Sequence, residues 1–389
     1  MDKSVKIVYI LRSFATKAGT ERVMSDKMNY LAEKGYKLTL ITYEQGKHPI
    51  AFPLHHSIQH VDLDTRFFEI DKYGIMRRLY LLFRLRRLFR VRLQDLINKI
   101  RPDFIISTTY SIKLIDIILS LNTQATQYVE SHVACNNIKK SDDYRNNIFV
   151  FPIAVVYDWW TLRKVSKADK LVVLTKGDAT DWMNYSSNVI IIPNPITYYP
   201  DRVLPHNDIK KRILCVGRLQ EQKGYDMLID AFSLIAERCV DWKIDIYGDG
   251  PDKKMLTDKI HERNLDDRVI INPPKDNIYA EYQNSDFFVL SSRFEGLPLV
   301  LGEAMSCGIP CVSFRCKYGP EDIIRDGHNG LLVEDGNIEQ LGEKIFWMLS
   351  HTGERLRMGE QAREDIQQYE KTVIMRKWLE LFGTSRIQH

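Results

Sequence analysis

Short apolar runs alternate with helically spaced segments from the first residues of the chain. Val5 to Leu11 predicts a strand, Glu21 to Lys34 a helix and Lys37 to Thr42 a second strand. This is the rhythm of a parallel sheet whose strands are joined by crossover helices. Apolar runs recur at Phe104 to Ser107, Leu171 to Thr175, Ile213 to Val216, Lys243 to Tyr247, Val269 to Ile271, Phe287 to Ser291 and Cys311 to Ser313. No repeat of short period underlies them, and two successive α/β units of similar size fit the pattern. Between the halves, Ile190 to Ile196 ends a strand with Pro193 and Pro195 flanking Asn194. Two prolines forbid helix and stiffen the chain, as an interdomain hinge requires. The expected domains are therefore residues 1–195 and 196–370. Val373, Ile374, Trp378 and Leu381 stand at helical spacing, predicting a terminal helix within 371–389 that returns to the N-terminal domain.

With 389 residues the chain exceeds what one hydrophobic core usually serves. Its 44% hydrophobic and 27% charged content excludes disorder and collagen. The six cysteines form no C-x-x-C pair and read as reduced thiols of a cytosolic protein. Met1 to Leu11 lacks the features of a secretory signal. The longest apolar candidate, Ile148 to Tyr157, is ten residues with Pro152 inside it, so no membrane span is expected.

Charge divides the chain unevenly. Through Pro195 there are 29 basic and 19 acidic residues, and beyond it 26 and 32. Much of the excess lies between Arg77 and Arg92, where seven arginines and no acids mix with Leu, Tyr, Phe and Val. A helix there would bury an apolar stripe of Leu79, Leu82, Phe83, Leu85, Leu88 and Phe89 and show a cationic face. That pattern fits a helix resting on anionic lipid, with Arg84 and Arg87 facing the membrane or a lipid-borne acceptor. The alternative is a helix packed on its own domain with solvated arginines. Nucleic acid is not expected, because the second half is acidic and no binding motif is present.

Two stretches of the second half carry candidate chemistry. Gly217 follows a strand, and Arg218 and Lys223 stand one turn apart before Gly224 and a helix beginning near Tyr225. Glycine admits close backbone approach, and two cations suit a diphosphate. The second stretch runs from Ser291 to Glu303. A strand end leads through Arg293, Glu295, Gly296 and Leu297 to Pro298 and Leu299 in the first turn of a helix. Free amides there suit an anion, and Glu295 and Glu303 suit sugar and ribose hydroxyls. Asp62 and Asp64 spell D-x-D beside His55, His56 and His60, but the spacing matches no standard metal pattern and no metal is expected. Gly248-Asp249-Gly250 lacks the third glycine of a dinucleotide fingerprint, and no P-loop occurs.

The order Gly217-Arg218, Lys223-Gly224, Tyr247 to Pro251 and Glu295 to Glu303 resembles the donor half of retaining nucleotide-sugar glycosyltransferases of family 4, the glycosyl transferases group 1. The resemblance covers nearly the whole chain and implies the GT-B fold, two Rossmann-like α/β domains facing across a cleft. It implies a C-terminal domain holding the nucleotide-sugar donor, UDP-linked in expectation, and an N-terminal domain presenting a hydroxyl of a glycan or lipid-linked glycan. Arg218 and Lys223 would stabilise the departing diphosphate, Glu295 would hold donor-sugar hydroxyls, and Glu303 the ribose. Gly248, Arg293, Gly296 and the amides of Leu297 to Leu299 would complete the donor site. Asn272 to Lys275 matches the loop facing the base, where Pro273-Pro274 leaves the base open. The family's paired glycines after the first strand appear here as Ala18-Gly19, so Gly19 alone carries over. Glu130, at the acceptor side, and His132, near the reacting carbon, end the matching strand. No metal or cofactor is implied. The expected setting is cytoplasmic, peripheral at the inner membrane face, in surface polysaccharide assembly. A nucleotide-sugar epimerase and a non-catalytic nucleotide-sugar-binding subunit are the alternatives.

Overall fold

Lys6–Leu11 (β1) and Lys37–Thr42 (β2) are buried along nearly their whole length because each is covered on both faces, as strands of a parallel α/β sheet are. The computed structural model describes residues 5–203 and 209–387. The other strands of the first sheet are Gln59–Asp62 (β3), Phe104–Thr108 (β4), Thr126–Glu130 (β5), Lys170–Val173 (β6) and Val189–Ile191 (β7). Their order is β3-β2-β1-β4-β5-β6-β7, and every pair is parallel. The register sets Ile7 beside both Leu38 and Phe104.

The second sheet comprises Arg212–Val216 (β8), Lys243–Tyr247 (β9), Val269–Asn272 (β10), Phe287–Leu290 (β11), Cys311–Phe314 (β12) and Gly330–Val333 (β13). Its order is β10-β9-β8-β11-β12-β13, again entirely parallel. In each sheet the chain builds outward from the first strand, then reverses and continues on its other side. The reversal falls between β1 and β4 in one sheet and between β8 and β11 in the other. Ligand crevices of open α/β sheets open at such points, beyond the carboxyl ends of the strands.

The chain divides into one unit of Met1–Ile192 with Lys377–His389 and another of Pro193–Arg376. Each has its own core. Ile10, Phe89, Ile105, Val129 and Trp182 belong to the first, and Ile213, Phe232, Ile244, Phe287 and Met348 to the second. The terminal helix is Lys371–Ile387. It buries Ile374, Met375, Trp378 and Phe382, and within the first unit Phe382 packs 4.8 Å from Phe104 and stacks on Tyr128. Val373 and Leu381, expected on its apolar stripe, are only half-buried. All six cysteines are buried, and among the described residues none is in a disulfide.

Two segments depart from the sequence reading. The stretch ending at Asp62, for which no strand was expected, is edge strand β3, and Asp62 accepts hydrogen bonds from Thr42 Oγ1 at 3.0 Å and the Gly46 amide at 3.1 Å. Asp64 pairs with Arg66 at 2.5 Å. The arginine-rich helix spans Ile75–Ile100 and buries only Phe89, Leu93 and Ile97. Leu79 and Phe83, expected inside, are exposed. The apolar positions of its C-terminal half meet the first core.

Candidate functional site

In the second unit β8 ends at Val216, and the chain turns through Gly217 and Arg218 before the helix Tyr225–Ser233. The turn is closed by backbone bonds from the Gly217 amide to Tyr247 O and from the Leu219 amide to Asp249 O. Gly248 is required here because a Cβ would strike the Gly217 carbonyl oxygen. Gly224 stands at φ +61°, where a side chain would also meet the Ser291 carbonyl oxygen. Gly248 lets the loops after β8 and β9 touch at backbone level, and Gly224 does the same for those after β8 and β11.

That touching brings the expected residues together. Lys223 Nζ lies 2.7 Å from Glu295 Oε1, with both side chains largely shielded. The helix Leu299–Ser306 begins just beyond, with Pro298 as its N-cap residue. The amides of Leu299 and Val300 have no helical acceptor and carry the positive end of the helix dipole. Arg218 is exposed, and among the described residues its guanidinium has no hydrogen-bond partner. A free cation, a shielded lysine–glutamate pair and a helix N-terminus thus converge at the reversal point of the second sheet.

Other expected donor residues have protein partners. Both prongs of the Arg293 guanidinium are taken by Asp226, at 2.8 and 2.6 Å, and one also donates to the Glu221 carbonyl. Arg293 therefore staples the two site loops. Lys275 Nζ binds Glu281 Oε1 at 2.5 Å, and Glu281 also holds Arg212 at 3.0 Å. Glu303 is buried and accepts from Thr197 Oγ1 at 3.0 Å and Tyr282 Oη at 3.1 Å. Burial and the Glu303 charge push the Tyr282 hydroxyl well above its usual pKa.

In the first unit an opening of about 700 Å³ sits beyond the ends of β1, β2 and β4, at the reversal point. Arg12, Glu21, Glu44, Lys47 and Tyr110 are among the residues lining it. Arg12 is paired with Glu44, and Tyr110 Oη lies 3.2 Å from Thr20 Oγ1. Glu21 is in the first turn of the helix Gly19–Glu33, and burial raises its pKa.

Glu130 ends β5 and His132 lies just beyond it, both in a buried ionic cluster. Lys27 Nζ is 2.5 Å from Glu130 Oε2, and His132 Nε2–H donates to the same oxygen at 3.0 Å. Burial alone would raise the Glu130 carboxyl, but Lys27 and the His132 hydrogen bond overcome it and hold the pKa down to about 2. An ionised carboxylate keeps the proton on Nε2, so His132 Nδ1 is the remaining lone pair, buried and without a hydrogen-bond partner. Glu130 is only 2% exposed, so its expected contact with acceptor or membrane is corrected to an internal one that orients His132. Arg84 and Arg87 are exposed on the arginine helix and, among the described residues, have no anionic partner.

Lys27 is the residue that sequence reading missed. It appears as one more helical lysine, but Met24, Met28 and Leu31 flank it at helical spacing on the buried face. Its ammonium rests 3.7 Å from the centre of the Trp378 ring. A lysine in the middle of an apolar stripe was the available signal.

Residues 201–365 match the family described as glycosyl transferases group 1. An uncharacterized glycosyltransferase of Haemophilus influenzae is 26% identical over 379 residues, covering 96% of this chain and 98% of that one. The amylovoran biosynthesis glycosyltransferase AmsD of Erwinia amylovora is 25% identical over 391 residues, covering 97% and 99%. Among solved structures, a variant of S. aureus TarM in complex with fondaparinux, alpha-GlcNAc-glycerol and UDP is similar, with a TM-score of 0.75 and 18% identity over 97% of this chain and 99% of that one. The fold is GT-B. Together these likenesses support a group 1 glycosyltransferase and do not favour a nucleotide-sugar epimerase.

Proposed function

We propose that the chain is a retaining, metal-independent hexosyltransferase of family 4. It moves a sugar from a UDP-linked donor to a hydroxyl of a glycan or lipid-linked glycan during surface polysaccharide assembly. The observation that carries this reading is the shielded Lys223–Glu295 pair at 2.7 Å beside the N-terminus of Leu299–Ser306, next to the exposed Arg218. As the glycosidic bond breaks, positive charge develops on the sugar ring and negative charge on the departing diphosphate. Cations and free amides aimed at the diphosphate bind that state more strongly than the ground state, and so lower the barrier. Arg218, Lys223 and the amides of Leu297 to Leu299 fill this role, with Gly217, Gly248 and Gly296 giving the backbone access. Glu295 holds sugar hydroxyls and Glu303 the ribose, while Lys275 flanks the base.

The N-terminal unit, residues 1–195 with the returning terminal helix, binds the acceptor. Its opening beyond β1, lined by Thr20 next to Gly19, receives the acceptor, and His132 acts as a positioning residue, its buried ring held by Glu130. The Ile75–Ile100 helix rests on the inner membrane face through Arg84 and Arg87, where a lipid-linked acceptor is held. Support comes from the TarM complex, whose bound molecules include UDP, and from AmsD, named for amylovoran biosynthesis.

The test is turnover of UDP-, GDP- and ADP-sugars by the purified chain, with and without EDTA, alongside Glu303→Gln. One UDP-sugar should be consumed at a rate EDTA does not change, and Glu303→Gln should raise its KM at least tenfold. Failure to bind or consume any of them would sink the reading, and loss of turnover in EDTA would remove its metal-independent part.

A further inference from the structure

Outside both candidate sites, residues 148–164 form a surface that neither the cores nor the chemistry explain. Asn147 starts it, its side chain accepting from the amides of Phe149 and Val150 at 3.2 and 3.1 Å. The helix Phe151–Arg163 follows, with Pro152 in its first turn, where proline costs no hydrogen bond. Its inner side is Ala154, Asp158, Thr161 and Leu162. Asp158, the only charged residue between Ile148 and Leu162, points inward and accepts from the amides of Lys140 at 3.0 Å and Ser141 at 2.7 Å.

The outward side is apolar. Phe149 is 83% exposed, Ile153 70%, Val156 67% and Trp160 57%. Ile153, Val156 and Trp160 fall at i, i+3 and i+7, one stripe of the helix. A helix with its acid inside and its aromatics outside is inverted relative to one made for water, and a contiguous patch of this kind marks an interaction surface.

The rim identifies the partner. At the C-terminal end Arg163 lies 4.9 Å from the Trp159 ring centre and Lys164 lies 4.0 Å from that of Trp160. Tryptophan next to a basic side chain is the pairing of a membrane–water boundary, where the ring sits at headgroup depth and the charge meets phosphate. Lys164 is also within the electrostatic reach of Asp116 and Arg86, and Arg86 of the arginine helix binds Asp116 at 2.7 Å. The apolar stripe thus ends beside the helix whose seven arginines have no acid among them. A second protein would have to cover apolar surface while neutralising this cationic border. An anionic bilayer does both with one surface.

We infer that residues 148–160 are a membrane-insertion element that seats its apolar face in the headgroup and acyl boundary of an anionic bilayer, with Arg163, Lys164 and the arginine helix on the lipid phosphates. At 13 residues the helix is about 20 Å long, too short to cross, so it lies in the interface. The inference rests on the proposed membrane contact of the arginine helix and adds the element that enters the lipid.

The experiment uses the full chain and vesicles of phosphatidylcholine alone or with phosphatidylglycerol. Co-sedimentation and quenching of tryptophan fluorescence by bromine-labelled acyl chains are the readouts. The wild type should bind the anionic vesicles and be quenched, and Trp159→Phe with Trp160→Phe should remove most of the quenching. Replacing Phe149, Ile153 and Val156 by Glu changes only exposed positions and should cut binding at least tenfold with an unchanged melting temperature. Arg84→Glu with Arg87→Glu should weaken binding to anionic vesicles alone. If that charge-reversed pair binds normally while the triple Glu variant does not, the insertion element stands and the reading of Arg84 and Arg87 falls. Wild-type binding by the triple variant, or absence of quenching, overturns the inference. So does a dimer that ignores vesicles and is dissolved by the triple variant, because the face then covers a second copy of the chain.

Discussion

Lys27 meets Glu130 at 2.5 Å in the first unit and Lys223 meets Glu295 at 2.7 Å in the second, each near the carboxyl edge of a parallel sheet. Their surroundings differ. The first pair is almost wholly buried, with both side chains at 3% exposure or less, and is shared with His132 and Trp378. The second keeps 16% of the lysine side chain open, beside a helix N-terminus and the exposed Arg218. A sealed pair cannot meet a substrate and acts by holding its neighbour in one tautomer. A pair with an open side can exchange its internal contact for one to a ligand. In the proposed reading the same two residue types serve as a positioning device in one unit and as a binding device in the other.

The largest expected effect breaks the sealed pair. Lys27→Met leaves Glu130 charged, buried and facing only His132, and should destabilise the first unit by about 3–5 kcal/mol, read from urea unfolding. Adding Glu130→Leu should restore much of that stability, yet the pH profile of transfer should stay altered because His132 has lost the acceptor that set its Nε2–H tautomer. A double variant with a wild-type pH profile would reduce the cluster to packing.

Opening the second pair should act on chemistry more than on folding. Lys223→Ala should lower kcat for transfer by about 10²-fold or more, the scale of losing one donor that stabilises transition-state charge, with a far smaller change in stability than in Lys27→Met. Equal stability losses in the two variants would erase the contrast between the pairs.

Acid separates them further. Glu130 is held at about 2 against its usual 4.5, so the stability it contributes is full above about pH 4.5 and is lost as pH falls toward 2. The urea midpoint should therefore fall between pH 5 and pH 3 more steeply in the wild type than in Glu130→Gln. Parallel curves would contradict the low pKa. The smallest effect is expected at the staple, where Arg293→Lys replaces two hydrogen bonds to Asp226 with one and should cost about 1 kcal/mol. A change in donor KM larger than the stability loss would return Arg293 to the donor.

The second site was the more legible of the two. Its glycines, cations and spaced glutamates lie in short segments at strand ends, where loop length leaves few placements, so Gly217, Lys223, Glu295 and Pro298 could be read as a set. The tie between Arg293 and Asp226 was not legible because the two are distant in sequence. In the first unit Glu130 and His132 were visible as a strand end, but their relation to Lys27 joins residues about a hundred positions apart. Edge strand β3 was missed because its exposed residues, Gln59 and His60, carry no apolar run.

Alternation of apolar runs with helical spacing, by itself, determined two α/β units and the approximate position of most strands, since strand and helix periods are local properties of the chain. It also determined which segments could offer phosphate-binding backbone. The tertiary structure alone decided which charges are sealed and which are open, because burial depends on what packs from elsewhere in the chain. It likewise decided that Ile148 to Trp160, apolar enough for a core, lies on the surface: Asp158 has amide partners only on the inner side, and that anchors the opposite face outward.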